Sequence, residues 1–385
     1  MLRQALRRVP RTLVMPQTRS MTSALAPSTQ RLVDALQTVK LSNGLTMRYC
    51  DTAPGENDKP LVVFLHGWPE CWFSWRHQLA AADARGYRAV APDLRGFGGT
   101  DAPKGTEHYG VEKRVGDVAA LLAHLGKENA SFVGHDHGAA TGWLLARLRP
   151  DLVRCYYALS VPTSPRPPFR PLGLLRFLYG DESQPEGSVY GLGWLFPFYK
   201  RAPRFMYMLY HCLPQAGNIY GANTRKAQLA LQFSDIPFGE GLDDANYAMD
   251  GPMYYDDVAV PPFERVPAPT GLPDWATQAE VDYVVGEYER AGWEGGLEWY
   301  RTFDNDWKAT EGLGKCAVPA AFLAGTKDLV VKMMGGRRVI SYRLKQAVEG
   351  EVSIKFIEGA GHWIQQERPA EVNDEIFNFL DAHGK

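Results

Sequence analysis

The sequence has no long hydrophobic run, little cysteine and almost no net charge. No stretch of its 385 residues approaches 18 consecutive apolar residues, so no membrane-spanning segment is predicted. The net charge of −2 gives no reason to expect a nucleic-acid partner. The five cysteines are widely spaced and include no Cys-x-x-Cys pair. This usage argues against a zinc site or a disulfide framework and favours a reducing compartment.

The N-terminus lacks acidic residues. The first 33 residues contain six arginines and no acid, and the first acidic residue is Asp34. An arginine-rich, acid-free segment is typical of an organellar transit peptide, although an untargeted basic leader has the same composition. We therefore interpret residues 1–35 as a leader and predict a mitochondrial location. A cytoplasmic location or another organelle is the alternative.

Residues 36–160 alternate strand-like and helix-like patterns. Asn43-Gly44 predicts a hairpin turn, and valines and leucines spaced three and four apart predict a helix over 111–125. Strands are predicted over 61–65, 87–91, 131–133 and 155–159 and, later in the chain, over 320–323 and 352–357. This alternation predicts an α/β fold with a mostly parallel, doubly wound sheet.

Residues 161–309 interrupt this pattern. Five prolines fall between Pro162 and Pro171, and aromatic-rich, helix-like stretches follow them. Residues 310–385 are too few to form a separate core, so we expect them to complete the sheet begun by residues 36–160. The sequence therefore predicts one α/β core with residues 161–309 inserted as a helical cap domain. Two tandem domains are the alternative.

Residues 131–139 predict a sharp turn between a strand and a helix. Asp136 lies between Gly134 and Gly138, at the position of the nucleophile in a strand–turn–helix elbow. A carboxylate nucleophile attacks an sp³ carbon and forms an alkyl ester, whereas a serine forms an acyl-enzyme. This chemistry favours strained or activated carbons such as those of epoxides and alkyl halides. Taken alone, the motif also fits an ordinary turn with a solvated aspartate.

Two further residues complete a catalytic triad in the chain order nucleophile, acid, histidine. Asp328 follows the predicted strand at 320–323, and His362 lies in a glycine-rich turn after the last predicted strand. In this arrangement Asp328 fixes the tautomer of His362, and His362 activates water.

The segment His66-Gly67-Trp68-Pro69 follows another predicted strand and is expected to turn back toward the elbow. We predict that the backbone N–H groups of Trp68 and His137 form an oxyanion hole. A cis peptide before Pro69 is a further hypothesis. His66 is expected to support this turn rather than to react.

The pair of histidines around Asp136 also invites a metal-site interpretation. We reject it because no further cluster of His, Cys or Asp at ligand spacing accompanies the pair. A sharp turn also points alternate side chains apart. No metal and no cofactor is predicted.

Taken together, the motifs resemble those of the soluble epoxide hydrolases of the α/β-hydrolase superfamily, over about residues 37–383. Gly-His-Asp alone is shared with haloalkane and fluoroacetate dehalogenases. The matching segments are His-Gly-Trp-Pro-Glu (66–70), Ser-Trp-Arg-His-Gln (74–78), Asp-Leu-Arg-Gly-Phe-Gly (93–98), Gly-His-Asp-x-Gly (134–138), Gly-Thr-Lys-Asp (325–328) and Gly-His-Trp-x-Gln (361–365).

The resemblance implies two cap tyrosines that donate hydrogen bonds to the oxygen of the opening epoxide. The segment Gly-Gly-Leu-Glu-Trp-Tyr-Arg (295–301) nominates Tyr300. Tyr190 is the best match in position for the first tyrosine, although the acidic stretch usual downstream is missing, and Tyr179 is the reserve candidate. Packing within the cap is the alternative role for any of the 18 tyrosines.

One residue departs from the family pattern. His137 follows the nucleophile where tryptophan is usual, and haloalkane dehalogenases use that tryptophan to bind halide. The resemblance therefore implies a cofactor-free enzyme that converts lipophilic epoxides to vicinal diols through an ester on Asp136. A dehalogenase with the same nucleophile and a non-catalytic ligand-binding member of the fold are the alternatives. The residues expected to contact the substrate are Trp68, Pro69, His137 and Trp363. The oligomeric state stays open.

Overall fold

Ten strands are found in the computed structural model, which describes residues 24–168, 170–172, 205–234, 254–255, 261–265 and 269–385. The strands are β1 (Leu36–Lys40), β2 (Thr46–Asp51), β3 (Leu61–Leu65), β4 (Arg88–Pro92), β5 (Ala130–His135), β6 (Val153–Leu159), β7 (Phe205–Met206), β8 (Tyr254–Tyr255), β9 (Ala320–Gly325) and β10 (Val352–Ile357).

Eight of these strands form one sheet in the order β1-β2-β4-β3-β5-β6-β9-β10. The pairs β1–β2 and β2–β4 are antiparallel, and every other pairing in this sheet is parallel. Strands β3, β4, β5 and β9 are buried along their whole length because helices cover both faces of the sheet. The predicted α/β fold with a mostly parallel sheet is confirmed.

Fifteen α-helices are assigned within the described ranges. Those before β7 are α1 (Pro27–Asp34), α2 (Arg76–Ala84), α3 (Val111–His124) and α4 (His137–Leu148). Those between β7 and β9 are α5 (Tyr207–His211), α6 (Ala216–Gly221), α7 (Thr224–Leu231), α8 (Pro262–Arg265), α9 (Gln278–Ala291), α10 (Glu294–Arg301) and α11 (Phe303–Ala309). Those after β9 are α12 (Leu329–Met333), α13 (Gly336–Ala347), α14 (Ile364–Glu367) and α15 (Pro369–His383). None of these helices is both long and apolar enough to cross a membrane.

The predicted hairpin lies between β1 and β2. Gly44 has φ = +89°, which only glycine adopts without strain. The Asn43 side chain accepts a hydrogen bond from Leu45 N and donates one to Asp117 on α3. The turn is therefore fixed both locally and by the neighbouring helix.

The first described helix, α1, lies within the segment interpreted as a leader. Its Thr29 is buried, and Cys50 Sγ on β2 donates to Leu32 O at 3.4 Å. This helix thus contacts the core, and residues 1–23 of the leader lie outside the described residues. The extent of the leader stays a prediction.

Helix α9 is held on the core by buried ion pairs. It begins with a capping box in which Thr277 and Glu280 satisfy each other's backbone N–H groups. Glu280 accepts from Arg76 Nε at 2.6 Å, and Glu287 pairs with Arg48 on β2. These contacts join the segment 161–309, predicted as a cap, to residues 36–160 of the predicted core. The boundary between cap and core stays a prediction.

Candidate active site

The elbow around Asp136 is as tight as its glycines predict. Asp136 has φ = +50° and ψ = −118° between β5 and α4. A Cβ atom on Gly138 would lie 2.1 Å from Leu65 O, and one on Gly134 would lie 2.6 Å from Gly138 O. Only glycine fits at either flank, and the turn directs the Asp136 carboxylate out of the carboxyl end of the sheet.

The Asp136 carboxylate has two partners. Trp68 N donates to Oδ1 at 3.0 Å, and Oδ2 lies 3.8 Å from His362 Nε2. Burial raises the pKa of Asp136, but the charge of His362 and the Trp68 N–H oppose this effect, and that pKa lies below its usual range. Asp136 is therefore ionised at neutral pH, as a nucleophile must be.

His362 lies between two carboxylates. Its Nδ1 is 3.0 Å from Asp328 Oδ1, on the side opposite Asp136. Burial lowers the pKa of His362, but the charge of Asp328 and its hydrogen bond, with a smaller effect of Asp136, raise it to about 9. Asp328 is fully buried at the start of α12, where Oδ1 also accepts from Val330 N at 2.8 Å. The structure thus brings together the three residues proposed as a triad.

A buried glutamate behind the triad was not found from the sequence. Glu70 accepts from Gly67 N at 2.7 Å and lies 2.7 Å from His135 Nδ1. His135 Nε2 in turn lies 2.9 Å from His362 O. Through these two contacts the His135 ring links the 66–70 turn to the His362 loop. The only signal was Glu70 itself, which closes the His-Gly-Trp-Pro-Glu segment.

Two more residues hold the His362 loop. Ser160 has φ = +67° just after β6, and its hydroxyl donates to His362 O at 3.1 Å. Glu367 accepts from Gly361 N at 2.6 Å and from Trp363 N at 2.8 Å. Nothing in the local sequence around Ser160 predicted this contact.

The 66–69 turn has the predicted geometry. The Trp68–Pro69 peptide is cis, and Pro69 is buried with its carbonyl accepting from Gln228 on α7 at 3.3 Å. His66 Nε2 accepts from Leu94 N at 3.0 Å, so this histidine supports the turn as expected. Trp68 supplies one N–H to the carboxylate. His137 is the first residue of α4, where backbone N–H groups have no partner within the helix.

His135 and His137 face different neighbours, as expected for a sharp turn. His137 lies against Trp299, Tyr300 and Phe303, with its ring centre 4.5 Å from that of Tyr300. Burial lowers the pKa of His137 to about 4, so its ring is neutral at neutral pH. Within the described ranges no group of three or more potential metal ligands is found.

Tyr300 is brought to the site by a close backbone approach. A Cβ atom on Gly295 would lie 2.5 Å from the Gly96 Cα, and one on Gly296 would lie 2.8 Å from Trp68 Cδ1. Helix α10 therefore lies directly on the loop after β4. This contact explains why two glycines precede the tyrosine in the segment 295–301.

The Tyr300 ring is enclosed by aromatic neighbours. Trp68 is 5.6 Å away, and His137 and His211 are each 4.5 Å away between ring centres. Burial raises the pKa of Tyr300 well above its usual value, so the hydroxyl keeps its proton. His211, which the sequence did not single out, is buried and lies 2.9 Å from the Tyr220 hydroxyl through Nε2.

Trp363 comes directly after His362 in the sequence and packs against its ring. It is buried, and its ring centre lies 4.6 Å from that of His362 and 5.7 Å from that of His135. Trp68 and Pro69 lie beside Asp136 through the turn described above. The structure therefore places all four residues expected to contact the substrate around Asp136 or His362.

Comparison with known proteins gives consistent results. Residues 60–185 match a family model described as the alpha/beta hydrolase fold. Epoxide hydrolase A of Mycobacterium tuberculosis is 34% identical over 355 residues, covering 91% of this chain and 97% of that protein. The solved structure of epoxide hydrolase A from Mycobacterium thermoresistibile is 35% identical with a TM-score of 0.75, covering 90% of this chain and 98% of that chain. An epoxide hydrolase from Vigna radiata is 32% identical with a TM-score of 0.70 and the same coverage.

The chain belongs to the epoxide hydrolase family.

The predictions of this family, of its α/β-hydrolase fold and of an enzyme that hydrolyses epoxides are thus confirmed. Epoxide hydrolases of this kind react through an ester on an aspartate. The relatives do not favour the dehalogenase or the non-catalytic binding protein.

An epoxide hydrolase also needs hydrogen-bond donors for the ring oxygen. Tyr190 and Tyr179, the candidates for the first cap tyrosine, lie outside the described residues. Tyr207, at the start of α5, was not singled out among the tyrosines, yet its ring centre lies 6.3 Å from that of Tyr300. It precedes His211 by four residues, so the two rings meet at 5.4 Å. This epoxide hydrolase therefore has a second tyrosine beside Tyr300 within its described part.

Proposed function

We propose that Asp136 is the nucleophile of this epoxide hydrolase, with His362 and Asp328 as the pair that activates water. The observation that carries this proposal is the position of one strained, ionised carboxylate between Trp68 N and His362 Nε2. No other carboxylate of the site combines exposure to a substrate with these two partners.

In the first half-reaction Asp136 Oδ2 attacks one carbon of the epoxide. A carbon–oxygen bond of the ring breaks as the ester bond forms, and the released oxygen takes a proton from a tyrosine hydroxyl. Tyr300 supplies this hydroxyl in our proposal. Its buried, un-ionised state supports the role, because a tyrosinate has no hydrogen to donate.

In the second half-reaction His362 takes a proton from water, and the oxygen of that water attacks the ester carbonyl carbon. The oxyanion is stabilised by the N–H groups of Trp68 and His137. Collapse of the intermediate breaks the ester bond, and the departing oxygen takes the proton from His362. The carboxylic acid of Asp136 then passes its proton to His362, which restores the ionised Asp136 and the protonated His362 of the resting enzyme.

The charge state of His362 suits this order of events. Its pKa of about 9 makes it a cation in the resting enzyme, where it supports the ionised Asp136. Esterification neutralises Asp136 and so removes one of the charges that raise this pKa. The proton of His362 then passes to the tyrosinate left by ring opening, so His362 becomes a neutral base only after the ester has formed.

The substrate is proposed to be a lipophilic epoxide. Aromatic rings surround the nucleophile, and the support comes from Trp68, Trp299, Phe303 and Trp363 together with the neutral His137. We further propose a mitochondrial location on the arginine-rich, acid-free composition of the first 33 residues. Fractionation of cells that express the full chain with a C-terminal reporter tests this location, and a wholly cytosolic reporter contradicts it.

Trapping of the ester tests the mechanism. His362→Gln is expected to form the alkyl ester and to hydrolyse it about 10²–10⁴-fold more slowly than the native enzyme, since general base catalysis contributes that factor. Intact-protein mass spectrometry should then show a gain equal to the mass of the epoxide. His108→Gln, which changes an exposed histidine, is the matched control and should not accumulate ester.

A single turnover in ¹⁸O-water with enzyme in excess gives an independent readout. The label should enter the Asp136 carboxylate, and the diol from that turnover should carry none. Label in the first diol, or a wild-type rate in Asp136→Ala, contradicts a covalent role for this residue.

A further inference from the structure

Helix α13 is strongly basic, whereas the chain as a whole is close to neutral. Its twelve residues include four basic side chains, Arg337, Arg338, Arg343 and Lys345, and no acid, although the whole chain has a net charge of −2. All four are exposed. The helix packs against the core through its buried residues Ile340, Leu344 and Ala347, so the basic residues occupy the solvent-exposed face.

Apolar side chains stand among these charges. Val339 and Tyr342 are the two exposed large hydrophobic residues in the part of the chain that the structure describes, with Tyr342 67% exposed. They are three residues apart on the same helix. Single exposed apolar residues are common, but here both lie within one basic segment.

A groove runs beside this helix along strand β10, the edge strand of the sheet. Its volume is about 550 Å³, with a floor formed by Ile354 and Phe356. The rim is formed by Arg337, Arg338, Tyr342 and Lys345. An apolar floor under a basic rim suits an amphiphile with a negative head.

Most of this positive charge is not used within the molecule. Arg337 approaches Glu358 at 3.6 Å, and that glutamate is largely exposed. Across the described ranges, Arg338, Arg343 and Lys345 form no ion pair. The acidic residues that follow, Glu349 and Glu351, lie beyond the end of the helix. The face is therefore free to attract an anionic partner.

We propose that α13 and the groove beside it form a peripheral docking site for the surface of an anionic lipid bilayer. Basic segments are attracted to anionic lipid headgroups, and tyrosine is favoured at the boundary between headgroups and acyl chains. An acidic protein would match the charge equally well. The bilayer is favoured because Val339, Tyr342 and the floor of the groove offer far less apolar surface than the centre of a stable protein interface buries.

Flotation with vesicles tests the site on the full-length chain. The protein should float with vesicles of phosphatidylcholine mixed with phosphatidylglycerol and not with phosphatidylcholine alone. High salt should weaken the binding because it screens exposed charges. Arg338→Glu combined with Lys345→Glu should reduce partitioning about thirtyfold or more, since it removes two basic residues from the membrane surface. Tyr342→Ser should reduce it less.

The matched control is Lys104→Glu combined with Lys113→Glu, which makes the same charge change at two exposed lysines elsewhere. This control should bind vesicles like the native protein, and all variants should turn over a water-soluble epoxide at the native rate. Binding that survives the α13 reversal belongs to the basic leader and overturns the proposal. Failure of the native protein to float, or its retention by polyglutamate beads but not by vesicles, overturns it as well.

Discussion

At the residue scale, the proposed nucleophile Asp136 stands out by its backbone conformation. A non-glycine residue in such a conformation costs about 1–3 kcal/mol and persists only where the surroundings over-determine it. For Asp136 these surroundings are β5, α4 and the close contact of Gly138 with Leu65. This backbone conformation directs the carboxylate away from β5 and toward Trp68 N.

The raised pKa of His362 predicts a pH dependence of stability. A folded-state pKa of about 9, above the ordinary 6.5, stabilises the folded protein fully below about pH 6.5, and this contribution is lost as pH rises to 9. The melting temperature should therefore fall between these limits. His362→Gln should show a smaller fall over the same window, and equal slopes for the two proteins would contradict the assignment.

The first cap tyrosine can be decided by substitution. We expect Tyr207→Phe to lower the rate of ester formation about 10–100-fold, because a second hydrogen bond to the ring oxygen is lost. Tyr300→Phe should have at least as large an effect. Tyr190→Phe is the comparison, and pre-steady-state alkylation rates separate the three. A native rate in Tyr207→Phe with a slow rate in Tyr190→Phe would return the role to Tyr190.

At the scale of elements, helix α10 depends on two facing glycines. Gly295→Ala should force α10 away from Gly96 and lower the free energy of unfolding by about 1–3 kcal/mol. It should also lower kcat, because Tyr300 moves with its helix. Gly286→Ala on α9 is the control, since a Cβ there meets nothing within 4 Å. That change should leave activity unchanged and stabilise the protein by up to about 1 kcal/mol.

Urea unfolding and kcat on the same preparations check this pair. If Gly295→Ala were as stable and as active as Gly286→Ala, the close approach of α10 to the loop after β4 would not govern the position of Tyr300.

The same scale shows what the sequence could predict. Strands β3, β5, β9 and β10 were found within one or two residues, the first three from short apolar runs and β10 from alternating apolar residues. Asp136, Asp328 and His362 were found because each follows one of these strands. Glu70, Ser160 and His211 were missed. Their partners are distant in sequence, and no periodicity or local motif encodes contacts such as that of Ser160 with His362 O. Tyr207 was not singled out because nothing in a single sequence distinguishes it from the other tyrosines of residues 161–309.

At the scale of the whole molecule, the ion pairs of α9 couple the helices after β6 to the sheet. Glu287 forms ion pairs with both Arg48 and Arg290, and Arg48 also forms an ion pair with Asp93. Glu287→Ala should lower the free energy of unfolding by about 2–3 kcal/mol. The loss is smaller than for a buried pair that is broken completely, because the ion pair between Arg48 and Asp93 remains. Denaturant unfolding measures the loss, and hydrogen exchange should show weaker protection of α9.

Glu289→Ala is the matched control, since Glu289 is exposed on the same helix. It should change stability by less than about 0.5 kcal/mol. Equal stabilities of the two variants would show that the buried network does not hold α9 in place.

The order of the strands along the chain separates the two halves of the proposed chemistry. Strand β9 pairs with β6 across the long intervening segment, and Asp328 and His362 both lie after that closure. The proposed nucleophile and the Trp68 N–H lie before it. In the proposed mechanism the last two strands therefore carry the groups that release the ester, and damage confined to those groups would turn a catalyst into a protein that is consumed by its substrate.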